Sequence, residues 1–126
     1  MRQAYRTGGF EDVGGYARAV RSGNVIAVSG TAATGADGQA LHPGDVSQQT
    51  RHALEVALEA VEQLGGRRED VLRTRLFLAP ASDWRAAVDV HREFFAEVTP
   101  ANTTLFVAGF PPPGVLVEVE LDAVVE

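Results

Sequence analysis

The clearest pattern along the chain is an alternation of apolar and acidic residues near its C-terminus. From Val115 to Val125 every second side chain is aliphatic, and Glu118, Glu120 and Asp122 stand between them. Successive side chains of a strand point to opposite faces of the sheet. The segment is therefore predicted to be a strand with one apolar face and one acidic face. That acidic face either meets solvent or lines a polar site.

Two segments carry the three- and four-residue apolar repeat that is typical of amphipathic helices. The first helix is predicted over residues 45–64 and ends at the stop signal Gly65-Gly66. The second is predicted over residues 84–96, with Ser82 or Asp83 as its N-cap. Three aromatic residues of the second helix are interpreted as core residues, namely Trp84, Phe94 and Phe95.

Shorter apolar runs predict the other strands. Residues 16–20 and 24–29 have the pattern of a hairpin, and residues 1–6 that of a short first strand. The glycine-rich residues 7–15 are predicted to be a loop. Two amphipathic helices against one sheet form a two-layer α+β domain, which we expect to span residues 1–126.

The strand predicted over residues 71–78 adds basic side chains to the second sheet face. Leu72 is expected to face the core together with Thr74, Leu76 and Leu78. Arg73 and Arg75 then share the opposite face with the acids of the C-terminal strand. Opposite charges on one face can pair within the chain or across a subunit boundary, and we interpret Glu120 and Asp122 as ion-pair partners of an arginine.

Composition excludes several classes of function. The 126 residues are 45% hydrophobic, which supports a packed core. Their net charge of −6 argues against nucleic-acid or anionic-membrane binding. No run of about 18 apolar residues is present to span a membrane. The first ten residues lack the apolar stretch of a signal peptide, so we expect a cytoplasmic protein.

The chain contains no cysteine and no lysine, since all 11 basic residues are arginines. Zinc–thiolate sites, cysteine nucleophiles and lysine Schiff bases are therefore excluded. The three histidines match no metal-ligand spacing, and the glycine-rich stretches match no phosphate-binding motif. We predict no metal site and no organic cofactor, and we interpret His91, on an apolar helix stripe, as a core or interface residue.

Segments along nearly the whole chain resemble those of a known family. In order they are YARAV with VIAVSGT, DVSQQTRHALEVALEAVEQLGG, DVLRTRLFL, DWRAAVDVHREFF, and TPANTTLFV with VLVEVELDAV. The chain resembles the RidA/YjgF family of reactive-intermediate deaminases. The resemblance implies a chorismate-mutase-like α+β fold, in which two helices pack on one face of a mixed sheet. It also implies a homotrimer with a ligand cleft between each pair of subunits.

The resemblance also implies a set of site residues. The best-known members hydrolyse a small imino or enamine acid to a keto acid and ammonia. An arginine after a Pro-Ala pair clamps the substrate carboxylate, and a glutamate of the closing strand positions the attacking water. In this chain Asn102 follows Pro100-Ala101, and the glutamate corresponds to Glu118. Further candidates for substrate binding are implied by family position, namely Tyr16, Thr103 and Thr104.

The missing arginine leaves two functions open. Losing a charge-assisted clamp costs about 1.5–3 kcal/mol of binding. Arg18, Arg73 or Arg75 could replace it, and Arg75 is preferred because it lies on the polar face near the middle of its strand. The chain is then either a deaminase of imine-type metabolites or a trimeric small-molecule-binding protein without turnover. A nuclease activity is disfavoured by the acidic charge.

Overall fold

A six-stranded sheet crosses the molecule, and two long helices cover one of its faces. The computed structural model describes residues 1–126. The strands are β1 (Arg2–Tyr5), β2 (Ala19–Ser22), β3 (Val25–Ala32), β4 (Val71–Leu78), β5 (Ala101–Phe106) and β6 (Val117–Val124). The helices are α1 (Phe10–Gly14), α2 (Val46–Gln63) and α3 (Trp84–Phe95), and a short 3₁₀ helix covers Arg68–Asp70.

The strands are ordered β1-β2-β3-β6-β4-β5 across the sheet. Only β4 and β5 run parallel, and all other neighbours are antiparallel. The sheet is therefore mixed, and the α+β architecture predicted from the sequence is confirmed. The two C-terminal strands are not neighbours, because β4 lies between them, and β5 forms one edge of the sheet.

The central strand β6 has the two faces that its alternation predicts. Val117, Val119, Leu121 and Ala123 have no exposed surface, while the acids between them are partly exposed on the other face. Complete burial of a Val or Leu side chain stabilises the fold by about 1.5–3 kcal/mol. This apolar row therefore fixes the register of β6 and holds its acids on the uncovered face of the sheet.

Helix α2 matches its prediction and also orients the chain before β6. Asp45 is its N-cap, and the side chain accepts a 3.0 Å hydrogen bond from Gln48 N. The buried Gln49 was not foreseen from the sequence. Its amide donates to Gly114 O at 2.9 Å and accepts from Leu116 N at 2.8 Å. These bonds satisfy buried polar groups and fix the chain directly before the strand that carries Glu118.

Two core assignments made from the sequence are wrong. Leu72 is 62% exposed, because a bulge between Val71 and Arg73 gives Val71 the inward position. Such a bulge places two residues opposite one and reverses the facing of the residues before it. Trp84 is 51% exposed because it stands at the first turn of α3 and lines an open groove beside Leu105 and Phe106 of the edge strand β5. Val90 is buried on that helix instead.

The segment predicted as a glycine-rich loop contains helix α1. Its one buried side chain is Glu11, which is 2% exposed. A buried acid within a polar, glycine-rich stretch gives no periodic signal, so the sequence pattern could not reveal it. The helix ends at Gly15, whose left-handed φ of 72° suits glycine.

Candidate functional site

The Glu118 carboxylate lies directly over the backbone of Gly30 on the uncovered sheet face. Glu118 pairs with Ala32 across β6 and β3, and β3 is irregular between Val28 and Thr31, where Gly30 stands. A Cβ atom at Gly30 would overlap Glu118 Oε1. The absence of a side chain at residue 30 is therefore what allows the carboxylate to take this position.

Arg18 reaches the same region from the start of β2. Ser29 N donates a 2.9 Å hydrogen bond to Arg18 O, so the residue lies beside the irregular part of β3. Its side chain is 13% exposed, and its Nε is 3.7 Å from Glu11 Oε2. The guanidinium carbon is 5.8 Å from the centre of the Tyr16 ring. The Nε is buried and has no hydrogen-bond partner.

Glu11 supplies a buried negative charge beside Arg18. Its carboxylate accepts a 2.9 Å hydrogen bond from Thr7 N and a second bond from Thr7 Oγ1. Burial alone would raise the pKa of Glu11, but these hydrogen bonds and the Arg18 charge together lower the pKa below its ordinary value. Glu11 is therefore ionised at neutral pH and compensates the charge of Arg18.

The environment of Glu118 shifts its titration in the other direction. Burial raises the pKa of Glu118 above the ordinary value, and the nearby charge of Glu120 adds to that rise. The positive charge of Arg18 opposes it. A glutamate with a raised pKa can both accept and return a proton closer to neutral pH than an exposed one. We call Glu118, Gly30, Arg18, Glu11 and Tyr16 the Glu118 cluster.

Arg75, the replacement clamp preferred from the sequence, is engaged in ion pairs. Its Nη1 lies 3.1 Å from Asp122 Oδ2 and 3.5 Å from Glu120 Oε1. The interpretation of Glu120 and Asp122 as partners of an arginine is thereby confirmed. Thr103 is the register partner of Arg75 and faces the same side of the sheet. Arg75 thus has two acids of its own chain bound before any ligand arrives.

Asn102 belongs to a second, uncharged cluster. Its Nδ2 donates to Thr74 Oγ1 at 3.0 Å, and its Oδ1 accepts a 2.9 Å bond from Thr104 Oγ1. Thr74 Oγ1 lies 2.8 Å from His91 Nε2. We call Asn102, Thr104, Thr74 and His91 the Asn102 cluster, and its hydrogen bonds run from helix α3 to the edge strand β5.

Both ends of the Asn102 amide are engaged in this cluster. Thr74 Oγ1 accepts from Asn102 Nδ2 and lies within hydrogen-bond distance of His91 Nε2. Burial lowers the pKa of His91, which favours the neutral ring. The Asn102 amide is therefore oriented by its own chain.

The two clusters lie on opposite faces of the sheet. Asn102 and Thr104 share their face with the buried Thr74 and helix α3, whereas Glu118 is on the uncovered face. The structure thus brings Tyr16 and Glu118 together around Arg18, and Asn102 and Thr104 together around Thr74. One small ligand cannot contact both groups within a single chain.

No group of three or more His, Asp or Glu side chains is arranged to hold a metal ion. No helix has the length and the apolar character that a membrane crossing requires. The chemistry that the side chains of the two clusters offer is proton transfer at Glu118, anion binding at Arg18 and neutral hydrogen bonding at Asn102 and Thr104.

Known proteins share this arrangement of strands and helices. The family model described as Endoribonuclease L-PSP matches residues 9–125 of the chain. The chain belongs to the YjgF/RidA family. The resemblance stated from the sequence segments is thereby confirmed, and so is the chorismate-mutase-like α+β fold that it implies.

Individual members of the YjgF/RidA family match most of the chain. An uncharacterized protein of Streptomyces coelicolor is 40% identical over 114 residues, which cover 90% of this chain and 84% of that protein. The 3-aminoacrylate deaminase RutC of Acinetobacter baylyi is 33% identical over 104 residues, or 82% of each protein. The crystal structure of Rv2704 from Mycobacterium tuberculosis has a TM-score of 0.89 at 36% identity, covering 99% of this chain and 100% of that one.

Proposed function

We propose that this YjgF/RidA protein hydrolyses a small imine, or the enamine in equilibrium with it, to a carbonyl compound and ammonia. The reaction adds water across the C=N bond and then breaks the C–N bond, so that the carbonyl oxygen comes from water. Glu118 assists the attack of that water. One support is the relative whose name is 3-aminoacrylate deaminase, because 3-aminoacrylate is an enamine acid.

The observation that carries the proposal is the position of the Glu118 carboxylate. It lies over a glycine with no side chain to cover it, beside an arginine and on the uncovered sheet face. A carboxylate held in this way can accept a proton from an attacking water and later return it to the departing nitrogen. General acid–base catalysis of this kind contributes about 10²- to 10⁴-fold to a rate.

The separation of the two clusters supports a site shared between subunits. In a closed ring of identical chains, the Glu118 cluster of one subunit can face the Asn102 cluster of the next. Such an arrangement agrees with the exposed edge strand β5, whose Leu105 and Phe106 are 40% and 51% exposed. We therefore propose a homotrimer with the ligand between neighbouring chains, and with Asn102, Thr103 and Thr104 on the side opposite Glu118.

The test is ammonia release from 2-imino acids that an amino-acid oxidase generates in situ. Purified protein should accelerate the release, and Glu118→Gln should remove the acceleration because an amide cannot accept a proton from water. Asp122→Asn is the matched control, since it neutralises another acid on the same face of the same strand. Equal activity of Glu118→Gln and the native protein would contradict the proposed role of Glu118.

The alternative function is a trimeric binding protein without turnover. The observation that favours it is Asn102, which stands where the family arginine is expected and has its amide engaged within its own chain. Under this alternative a carboxylate ligand binds but no ammonia is released. A ribonuclease function, which the description of the family model suggests, has less support because the chain carries a net charge of −6.

A further inference from the structure

We propose that Arg18, from the same chain that supplies Glu118, binds the anionic group of the ligand. The inference rests on the proposed function for the location of the site and adds the residue that recognises the substrate class. Arg18 takes the role for which Arg75 was preferred from the sequence. The charged group of the ligand is then bound by Arg18 and not at position 102, where the family arginine is expected.

The state of the Arg18 side chain is the first argument. Its Nε is the only buried arginine nitrogen in the chain without a hydrogen-bond partner. Buried polar groups are hydrogen-bonded in the large majority of cases, and leaving one unpaired is costly, more so when it is charged. Arg18 makes one ion pair at 3.7 Å and one ring contact, so its terminal nitrogens remain free to bind an oxyanion.

The residues around Arg18 hold its side chain in a defined position. Glu11 is nearly fully buried, is held by Thr7 and stays ionised, so the charge of Arg18 is compensated before a ligand binds. The Tyr16 ring limits where the guanidinium can move. An arginine that is fixed in advance loses little entropy on binding, and its planar fork fits the two oxygens of a carboxylate.

The other candidates are less suited to bind an anion. Arg75 Nη1 already contacts two acids, and an added carboxylate would have to compete with both. Asn102 carries no charge, and its amide is bonded to Thr74 and Thr104. A carboxylate that leaves water needs a cationic or multi-donor partner. Arg18 is the arginine beside Glu118 that can offer one.

The proximity of Arg18 and Glu118 couples ligand binding to proton affinity. The groups whose charges act on Glu118 are Arg18, which lowers its pKa, and Glu120, which raises it. A carboxylate bound to Arg18 offsets the positive charge and therefore raises the pKa of Glu118 further. By reciprocity, a protonated Glu118 strengthens carboxylate binding. A shift of the Glu118 titration on ligand binding can therefore be measured without any turnover.

The experiment measures binding of pyruvate and of its methyl ester by NMR of protein with ¹³C-labelled glutamate carboxyl groups. Pyruvate should shift the Glu118 titration to higher pH, and the uncharged ester should not. Arg18→Met should weaken pyruvate binding by about tenfold or more and leave the weaker ester binding unchanged. Arg18→Lys keeps the charge without the fork and should retain part of the affinity. Arg85→Met, on the exposed face of α3, is the matched control.

Three results would overturn the inference. They are unchanged pyruvate affinity in Arg18→Met, loss of affinity in Arg75→Met instead, and no pyruvate binding to the native protein at millimolar concentration. Circular dichroism and sedimentation of Arg18→Met separate loss of binding from loss of fold or assembly, and Arg18→Lys decides the matter if Arg18→Met is not folded. If pyruvate binding depends on Arg18 but the native protein releases no ammonia from imines, this inference stands and the proposed hydrolysis is refuted.

Discussion

The Glu118 cluster and the Asn102 cluster occupy opposite faces of one sheet and differ in how complete they are. The Asn102 amide is hydrogen-bonded at both ends within its own chain, to the hydroxyl groups of Thr74 and Thr104, and neither partner is charged. The Glu118 cluster contains a carboxylate with a raised pKa and an arginine with an unpartnered nitrogen. The polar groups of the Asn102 cluster are thus satisfied within the chain, whereas the Glu118 cluster keeps a buried charged nitrogen without a hydrogen-bond partner.

This difference indicates that ligand recognition and fold stability depend on different residues of the chain. A satisfied, neutral hydrogen-bond network stabilises the fold and presents a fixed surface. An unsatisfied charged group costs stability and is retained where it serves a ligand. We therefore expect substitutions in the Glu118 cluster to change ligand binding and chemistry. Substitutions at Thr74 and His91, which support Asn102 from within the chain, should change mainly stability.

The largest expected effect comes from Gly30→Ala. The added methyl group would overlap Glu118 Oε1, and the flexible end of that side chain must move away. We expect the rate of imine hydrolysis to fall by about 10²-fold or more while the fold is kept. The measurement is ammonia release together with a thermal melt. An unchanged rate of ammonia release in a folded Gly30→Ala protein would contradict the role given to the position of the Glu118 carboxylate.

A smaller effect, on stability alone, is expected from Thr74→Val. The change removes the hydroxyl group that joins Asn102 to His91 and leaves two polar atoms without their partner. We expect the free energy of unfolding to fall by about 1–3 kcal/mol in a urea titration. Pyruvate affinity should stay unchanged. A variant with native stability and weakened pyruvate binding would reverse the assigned roles of the two clusters.

The smallest effect is a pH dependence that originates in the Asn102 cluster. Burial lowers the pKa of His91 below its ordinary value of 6.5. The unfolded chain then takes up the proton first on acidification, so stability is complete above about pH 6.5 and falls as the pH approaches the lower folded pKa. The slope for one proton is at most about 1.4 kcal/mol per pH unit. His91→Gln should lack this component, and an identical pH profile of both proteins would contradict it.

Sequence patterns predicted those parts of the fold that follow from periodic burial. The alternation in β6 and the apolar stripe of α2 were assigned correctly because side-chain period and burial are coupled there. Leu72 was misassigned because a bulge changes the period locally, and such a bulge leaves no mark in the apolar pattern. The interpretation of Trp84 as core was wrong because the apolar stripe of a helix does not show that its first turn borders an open groove at an edge strand.

The candidate site was less accessible from sequence. Glu118 and Asn102 were identified by family position, but nothing in a linear pattern shows that they lie on opposite faces of the sheet. Glu11 was missed because its burial depends on Thr7 and Arg18, which are brought to it by α1 and β2. Glu120 and Asp122 were interpreted as partners of an arginine, but only the pairing of β4 with β6 shows that this arginine is Arg75.

The most direct test of a site shared between chains is complementation in mixed assemblies. Glu118→Gln removes the reacting carboxylate, and Thr104→Trp fills the groove beside Asn102, which Trp84 and Val88 also line. Each variant alone should be inactive in ammonia release. Refolding the two together should restore about a quarter of the native activity, the fraction of clefts in random trimers that combine two native halves. Activity no higher than that of the separate variants would contradict a site built from two subunits.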